Sequence, residues 1–487
     1  MRFLTGRRQA KKGIYDMNIQ EAKEEIQHTL RAYFEKREDG RYAVETIRQR
    51  PLLLIGPPGV GKTQIVEQVS AETGTPLVSY TLTHHTRQSA VGLPFIEKKE
   101  YGGKQYSVTE YTMSEIIASV YDKIAESGKK EGILFLDEIN CVSETLAPTM
   151  LQFLQAKMFG NHRLPEGWLI IAAGNPPEYN KSVREFDIVT LDRIRRIDVE
   201  PSYDAWKKYA AKRLLHPSVI TYLGIRPENF CRFETTVDGR FFATPRGWED
   251  LSELIYSYEA LGFPIRPDMA REFIQYPKIA ADFSNYYDLY CKYAAEYRVD
   301  EILDGTIRET LCDRLKKAPF DEKYAVVGLL ISKLSVGCRE LERRARQLNA
   351  LRERYHAASD ASKNNTIPGA APDTAGDMIS EAPNADTQPV REDPAKLREE
   401  FNRLSDEYED AFDEMGLKLE HAFDFMEAAF GASQEMVLFI TELNAGYYLI
   451  HFLKDYSCER YYQYNRDLLF EDQEAKLQKK IASLSQN

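Results

Sequence analysis

Three things this chain has little of narrow its class before any motif is read. Cysteine is sparse. There are six in 487 residues, Cys141, Cys231, Cys291, Cys312, Cys338 and Cys458. None falls in a CxxC pair, so the spacing fits neither a zinc site nor a dense disulfide framework, and reduced thiols are expected. An excess of positive charge is also lacking. The 64 Lys and Arg against 76 Asp and Glu leave a net charge of −12, which argues against a broad nucleic-acid surface but leaves room for a local groove. Long apolar runs free of polar groups are lacking too. The nearest approach, residues 436–453, contains Glu442, Asn444 and His451. Charge in mid-bilayer is costly, so this stretch reads as a buried core helix and no membrane span is expected. Arg7-Arg8 is not followed by an apolar h-region, which excludes a twin-arginine signal. Residues 1–16 are expected to be a disordered basic leader, and the chain a cytoplasmic protein. No internal repeat is visible.

The length has room for two to four domains. Ile19–Phe34 carries apolar residues at helical spacing and reads as a surface-packed helix within a lead-in of 17–50. The apolar run Leu52-Leu53-Leu54-Ile55 and the segments at 77–82, 132–136, 169–173 and 197–199 read as strands. Helical patterns lie between them, notably at 113–126 and 143–155. Strands alternating with helices predict a parallel sheet covered on both faces over 51–202. Tyr101-Gly102-Gly103-Lys104 sits between two β-prone segments and predicts a hairpin. From 203 to 320 the pattern is almost wholly helical, as for a lid. The region 321–487 holds two helices with alternating four- and three-residue apolar steps. One runs through Leu334, Cys338, Leu341, Ala345 and Leu348, the other through Leu397, Phe401, Leu404, Tyr408, Ala411 and Met415. They read either as an antiparallel coiled-coil-like hairpin or as two helices on a common bundle. Residues 357–394 between them have almost no large apolar side chains and are expected to be disordered.

The densest chemistry is Gly56-Pro57-Pro58-Gly59-Val60-Gly61-Lys62-Thr63, followed by Gln64. It joins an apolar strand to a helical stretch, the context a phosphate-binding loop requires. The glycines let backbone N–H groups wrap a phosphate, and the helix offers its positive end. Lys62 would neutralise the β- and γ-phosphates, and Thr63 would bind Mg²⁺. The bland alternative is a Gly/Pro turn with an exposed Lys. About 75 residues later an apolar strand ends in Asp137-Glu138. In a parallel sheet both motifs lie at the carboxyl ends of adjacent strands, where ligands bind. Asp137 would hold the metal, and Glu138 would polarise an attacking water. Asn175 ends the strand at 169–173, read as lying between the two motif strands, and could bond the γ-phosphate or the water, or simply form a turn before Pro176-Pro177. Arg193, Arg195 and Arg196 precede a further strand. One could reach a neighbouring subunit's γ-phosphate, or all could lie on a solvated edge. Thr244-Pro245 reads as a helix start, from which Arg246 could point back to the nucleotide.

Together these residues resemble the AAA+ ATPases and, within them, the MoxR branch. The motifs GPPGVGKT, GILFLDEIN, IIAAGNPPE, LDRI and ATPRGW occur in the family's order over about residues 45–260. The resemblance implies an α/β fold, a P-loop αβα sandwich with a parallel sheet, then a helical lid and an extra C-terminal helical region. It implies ATP and Mg²⁺ as cofactors and a homo-oligomeric ring, usually hexameric. Lys62, Thr63, Asp137 and Glu138 match the Walker positions, Asn175 sensor 1, Arg193 the arginine finger and Arg246 sensor 2. Ile194 stands where the family usually has Phe, which leaves Arg195, Arg196 and Arg184 as rivals to Arg193. MoxR-like ATPases act with von Willebrand A proteins, so the resemblance implies a separate partner of that type. The expected function is ATP hydrolysis that remodels or matures a protein. Two alternatives are a nucleic-acid-associated motor or restriction-type GTPase subunit, and a nucleotide-switched scaffold with little turnover. His84-His85, the acidic run 406–414 and the aromatic cluster from Tyr447 to Tyr464 read respectively as a solvated loop, a solvated helix face and helical core.

Overall fold

The computed structural model describes residues 16–84, 87–179, 183, 186–237, 239–364, 393–466 and 468. Positions 1–15, His85, Arg184 and residues 365–392 lie outside the described residues. Asp16 is described, and it belongs to a strand. Along the chain the strands are β1 (Asp16–Asn18), β2 (Leu52–Ile55), β3 (Leu77–Thr81), β4 (Pro94–Tyr101), β5 (Lys104–Tyr111), β6 (Gly132–Asp137), β7 (Met158–Phe159), β8 (His162–Arg163), β9 (Trp168–Gly174), β10 (Arg195–Glu200), β11 (Arg232–Thr236) and β12 (Gly239–Ala243).

Six of them form one parallel sheet in the order β1-β10-β2-β9-β6-β3. The strand leading into the glycine loop and the strand ending in Asp137 are therefore not adjacent, because β9 lies between them. Each apolar strand feeds two cores. Leu52, Leu54, Ile133 and Phe135 pack with Ala22, Ile26 and Val66 on one face. Leu53, Ile55, Leu134 and Leu136 pack with Val120, Met150 and Phe153 on the other. Burial on both faces is why these strands read as continuous apolar runs rather than as alternations. The helix Ile19–Phe34 starts on a capping box, with Asn18 accepting from Gln20 N–H and Glu21 N–H while Glu21 reaches back to Asn18 N–H. This is the arrangement that satisfies otherwise orphaned helix donors.

The chain divides into two compact units: Met1–Trp206 with Arg226–Ala281, and Lys207–Ile225 with Asp282–Asn487. Their boundaries thus fall inside the stretch 203–320. That stretch is also less helical than its pattern implies. β11 and β12 form an antiparallel hairpin with Phe233 opposite Phe242; Asp238, which precedes β12 in the sequence, lies outside the described residues. The expected hairpin at Gly102-Gly103 is present as β4 and β5, with both glycines at positive φ (60° and 78°).

In the second unit the helices Phe320–Asn364 and Pro394–Phe430 run antiparallel: Gly337 faces Met415, and Arg344 donates to the Glu407 carbonyl. The first helix continues into the Ala-rich start of the presumed linker, Ala357 to Asn364. Burial differs along the pair. Near Phe423 the second helix packs in a bundle, edge to face on Phe439. Farther out, Phe401, Leu404 and Tyr408 are only half-buried, as expected for a seam covered by few neighbours. Residues 436–453 are two helices rather than one, Gln434–Ala445 and Tyr447–Asp455, bent by 90° at Gly446. A Cβ on Gly446 would lie 2.8 Å from Leu449. Among the described residues no single helix is long and apolar enough to cross a membrane.

Candidate nucleotide site

The loop after β2 owes its path to glycine. Gly56 passes so close to β10 that a Cβ would sit 2.5 Å from the Val199 carbonyl oxygen, and Gly59 and Gly61 adopt φ of +78° and +96°. Such φ values cost other residues strain. Gly61 caps the helix Lys62–Thr73 without any side-chain hydrogen bond. The first-turn N–H groups are therefore left for a ligand, and the helix dipole favours an anion there.

Lys62 is buried, at 8% exposure. Its Nζ donates to the carbonyls of Gly56 (2.8 Å) and Pro57 (2.9 Å) and to Asn175 Oδ1 (2.9 Å). All three acceptors are neutral. Burial pulls its pKa down to about 8, against the opposing pull of Asp137, with the Arg246 charge lowering it further. Thr63 Oγ1 donates to Asp137 Oδ2 at 2.7 Å. A hydroxyl and a carboxylate oxygen thus meet at the cleft, the hard-oxygen donor type that suits Mg²⁺. The buried cation beside them suits phosphate, so the residues fit Mg-nucleotide.

Glu138 stands at φ +56°, an uncommon conformation for a residue with a side chain. Its N–H donates to Asp137 Oδ1 at 2.9 Å. Arg246 and Glu249 come from the helix Pro245–Leu261, whose cap is Thr244 as the sequence implies, accepting from Gly247 N–H. Gly59, Lys62, Thr63, Gln64, Asp137, Glu138, Asn175, Arg246 and Glu249 all line one cleft of about 120 Å³. Pro58, Gly59 and Arg246 also edge a larger cavity of about 640 Å³, which Tyr179 and residues of β11 and β12 line as well.

Of the arginines, Arg193 is exposed and donates to Gln155 Oε1, and it does not line the cleft. Arg195 is committed elsewhere, to Glu25 and to Thr29 Oγ1 (2.9 Å). Arg196 pairs with Asp198 at 2.7 Å. Ile194 is core, at 4% exposure. Among the described residues no group of three or more His, Cys, Asp or Glu side chains could hold a metal, and the side chains of His84 and His85 lie outside those described. Two residues at the site were missed by motif reading. Glu249 could have been found, since it lies one helical turn after Arg246 on the same face. Asn140, which supports the site from just outside the cleft, is spelled within the GILFLDEIN motif but carries no signal in its spacing.

Residues 51–194 match the family model described as "AAA domain (dynein-related subfamily)". This segment is an AAA ATPase domain of the AAA+ αβα fold, carried by the parallel sheet and loop described above, with many further helices C-terminal to it. No curated protein matches the chain. Among solved structures, it is similar to one described as the "crystal structure of a putative ATPase from Cytophaga hutchinsonii", at 16% identity and a TM-score of 0.24. The match covers 36% of this chain and 46% of that one, and at that score it adds nothing to the domain assignment.

Proposed function

We propose that this chain is a Mg²⁺-dependent, cytoplasmic ATPase of the MoxR branch that works as a homo-oligomeric ring, hexameric in that branch's usual form. It uses hydrolysis to remodel or mature a separate protein, and the resemblance makes a von Willebrand A-type protein the expected partner. The observation that carries the nucleotide reading is Lys62. A cation buried to 8% exposure among three neutral oxygens is costly unless an anion completes its surroundings. The glycine loop and the uncapped helix start supply the rest of that anion site. Bound Mg²⁺ would supply charge neutralisation of the phosphates, held by Thr63 and Asp137. Glu138 would orient and deprotonate the attacking water, and Asn175, tied to Lys62, would sit beside the terminal phosphate. The ring reading is supported by Arg193, which does not line the chain's own cleft. Arg193 is exposed and points its guanidinium at Gln155, available to a second copy.

Mixing tests both halves. Lys62→Ala should lose ATP binding, and unchanged affinity would sink the phosphate-loop assignment. Arg193→Ala and Glu138→Gln should each be inactive alone but recover turnover when mixed, because mixed rings contain intact interfaces. No recovery, with mixed rings confirmed by mass, would overturn a finger acting between subunits.

A further inference from the structure

The turn after Asp137 is fastened to the neighbouring strand end by a residue outside the cleft, Asn140. It is 6% exposed. Its Nδ2 donates to the Asn175 carbonyl at 2.7 Å, and its Oδ1 accepts from the Asn175 N–H at 3.3 Å. One amide thus satisfies both backbone groups of a single residue. Just before it, Ile139 N–H donates to the Ala173 carbonyl at 2.9 Å. Gly174 leaves the room for this: a Cβ there would lie 2.5 Å from Asn140 Oδ1 and 2.8 Å from its Cγ.

The two segments so joined carry the groups on which hydrolysis depends. Glu138 holds φ +56° two residues before Asn140. Such a conformation costs about 1–3 kcal/mol and persists only where the surroundings over-determine it. From within the turn, Cys141 N–H donates to the Glu138 carbonyl at 2.9 Å. Across the joint, the Asn175 side chain accepts from Lys62.

We propose that Asn140 is a positioning residue: by clamping the Asn175 backbone to the turn after β6, it fixes the spacing between Glu138 and Asn175. The inference rests on the hydrolase reading above. Asn140 touches the geometry of hydrolysis and not the capture of nucleotide, which belongs to Lys62, Thr63 and the loop glycines. An apolar replacement leaves the Asn175 N–H and carbonyl without this buried partner, and the two strand ends lose their registration.

The test measures ATP turnover and, separately, the dissociation constant of mant-ATP in the wild type, Asn140→Ala, Gly174→Ala and the double variant. Asn140→Ala should lower kcat roughly 100-fold, the scale expected for a displacement of about 1 Å. The mant-ATP constant should stay within about threefold, as for an interaction that matters only in the transition state. Gly174→Ala, on the other strand, should give the same split, because its methyl group displaces Asn140. The double variant should turn over no more slowly than Asn140→Ala alone, since the methyl then fills vacated space, and such coupling is the mark of a shared contact. Unchanged kcat in Asn140→Ala, losses that multiply in the double variant, or mant-ATP affinity that falls in step with kcat would each overturn the clamp. If Asn140→Ala does not fold, Asn140→Ser is measured in its place. Glu138→Gln in the same assays keeps the two readings apart. Turnover that Glu138→Gln does not slow refutes the hydrolase reading. Turnover that depends on Glu138 but ignores Asn140 refutes the clamp alone.

Discussion

Lys62 and Lys207 are both lysines withdrawn from solvent, one in each compact unit, and their surroundings differ in kind. Lys62 meets only neutral oxygens. Lys207, with 17% of its side chain exposed, meets the carboxylate of Glu442, 9% exposed, which also accepts from Tyr324 at 3.0 Å. The second cation is paired with a carboxylate and holds helices together; the first hydrogen-bonds no carboxylate and lines the nucleotide cleft. Burial by itself does not make the distinction. Lys157 is also pushed down to about 8 by burial and donates to the Thr46 carbonyl at 3.0 Å, yet it lines none of the cavities described. The loop glycines and carboxylates around Lys62 turn a buried charge into a site.

That contrast can be broken in several ways. The largest effect should come from Glu138→Gln, which is expected to slow turnover about 10²–10⁴-fold, the usual contribution of a positioned base, while mant-ATP still binds. Equal turnover would remove Glu138 from the chemistry. Next, Glu442→Ala leaves Lys207 as a cation withdrawn from solvent without its carboxylate. Breaking one half of a buried pair costs about 3–5 kcal/mol, read as a lower urea midpoint, and adding Lys207→Met should restore much of it. A midpoint that does not move would show the pair to be idle.

The pH dependence of the first lysine sharpens the comparison further. Its pKa in the free protein lies at about 8, below its ordinary value, so Lys62 is charged below pH 8 and increasingly neutral above it. Bound phosphates favour the charged form, so binding takes up a proton above pH 8. ATP affinity should then fall by up to about tenfold per pH unit above pH 8 and stay level below it, as followed by mant-ATP titration. A flat profile from pH 7 to 9.5 would mean that Lys62 keeps its ordinary pKa. The smallest effect is expected at Arg195. Its pair with Glu25 is partly exposed, so Arg195→Ala should cost about 1 kcal/mol or less and leave turnover intact, in contrast with Arg193→Ala. Loss of turnover at Arg195 instead would exchange the two roles.

Much of the nucleotide unit was legible in the sequence. β2 and the helix Ile19–Phe34 coincide with their apolar patterns, and the hairpin at Gly102-Gly103 follows from turn chemistry alone. These features depend on residues close together along the chain. The misses have a common origin in local ambiguity. β1 is three residues long, too short to show a period. β11 and β12 were hidden in a helical stretch despite the Asp238-Gly239 pair. Gly446 splits an apolar run whose composition suits one helix equally well.

The sequence by itself determined the glycine loop, the apolar strands β2, β3, β6, β9 and β10 and the identity of the groups that could face a phosphate, because each is written in neighbouring residues. Only the tertiary structure decided how they meet. It set the Asn175 side chain against Lys62. It committed Arg195 to Glu25, 170 residues away, and left Arg193 outside the cleft. It also set Asn140 against Gly174 and Asn175, a contact made by the register of β6 on β9. Such register arises from packing on both faces of the sheet, and no short stretch of residues specifies it.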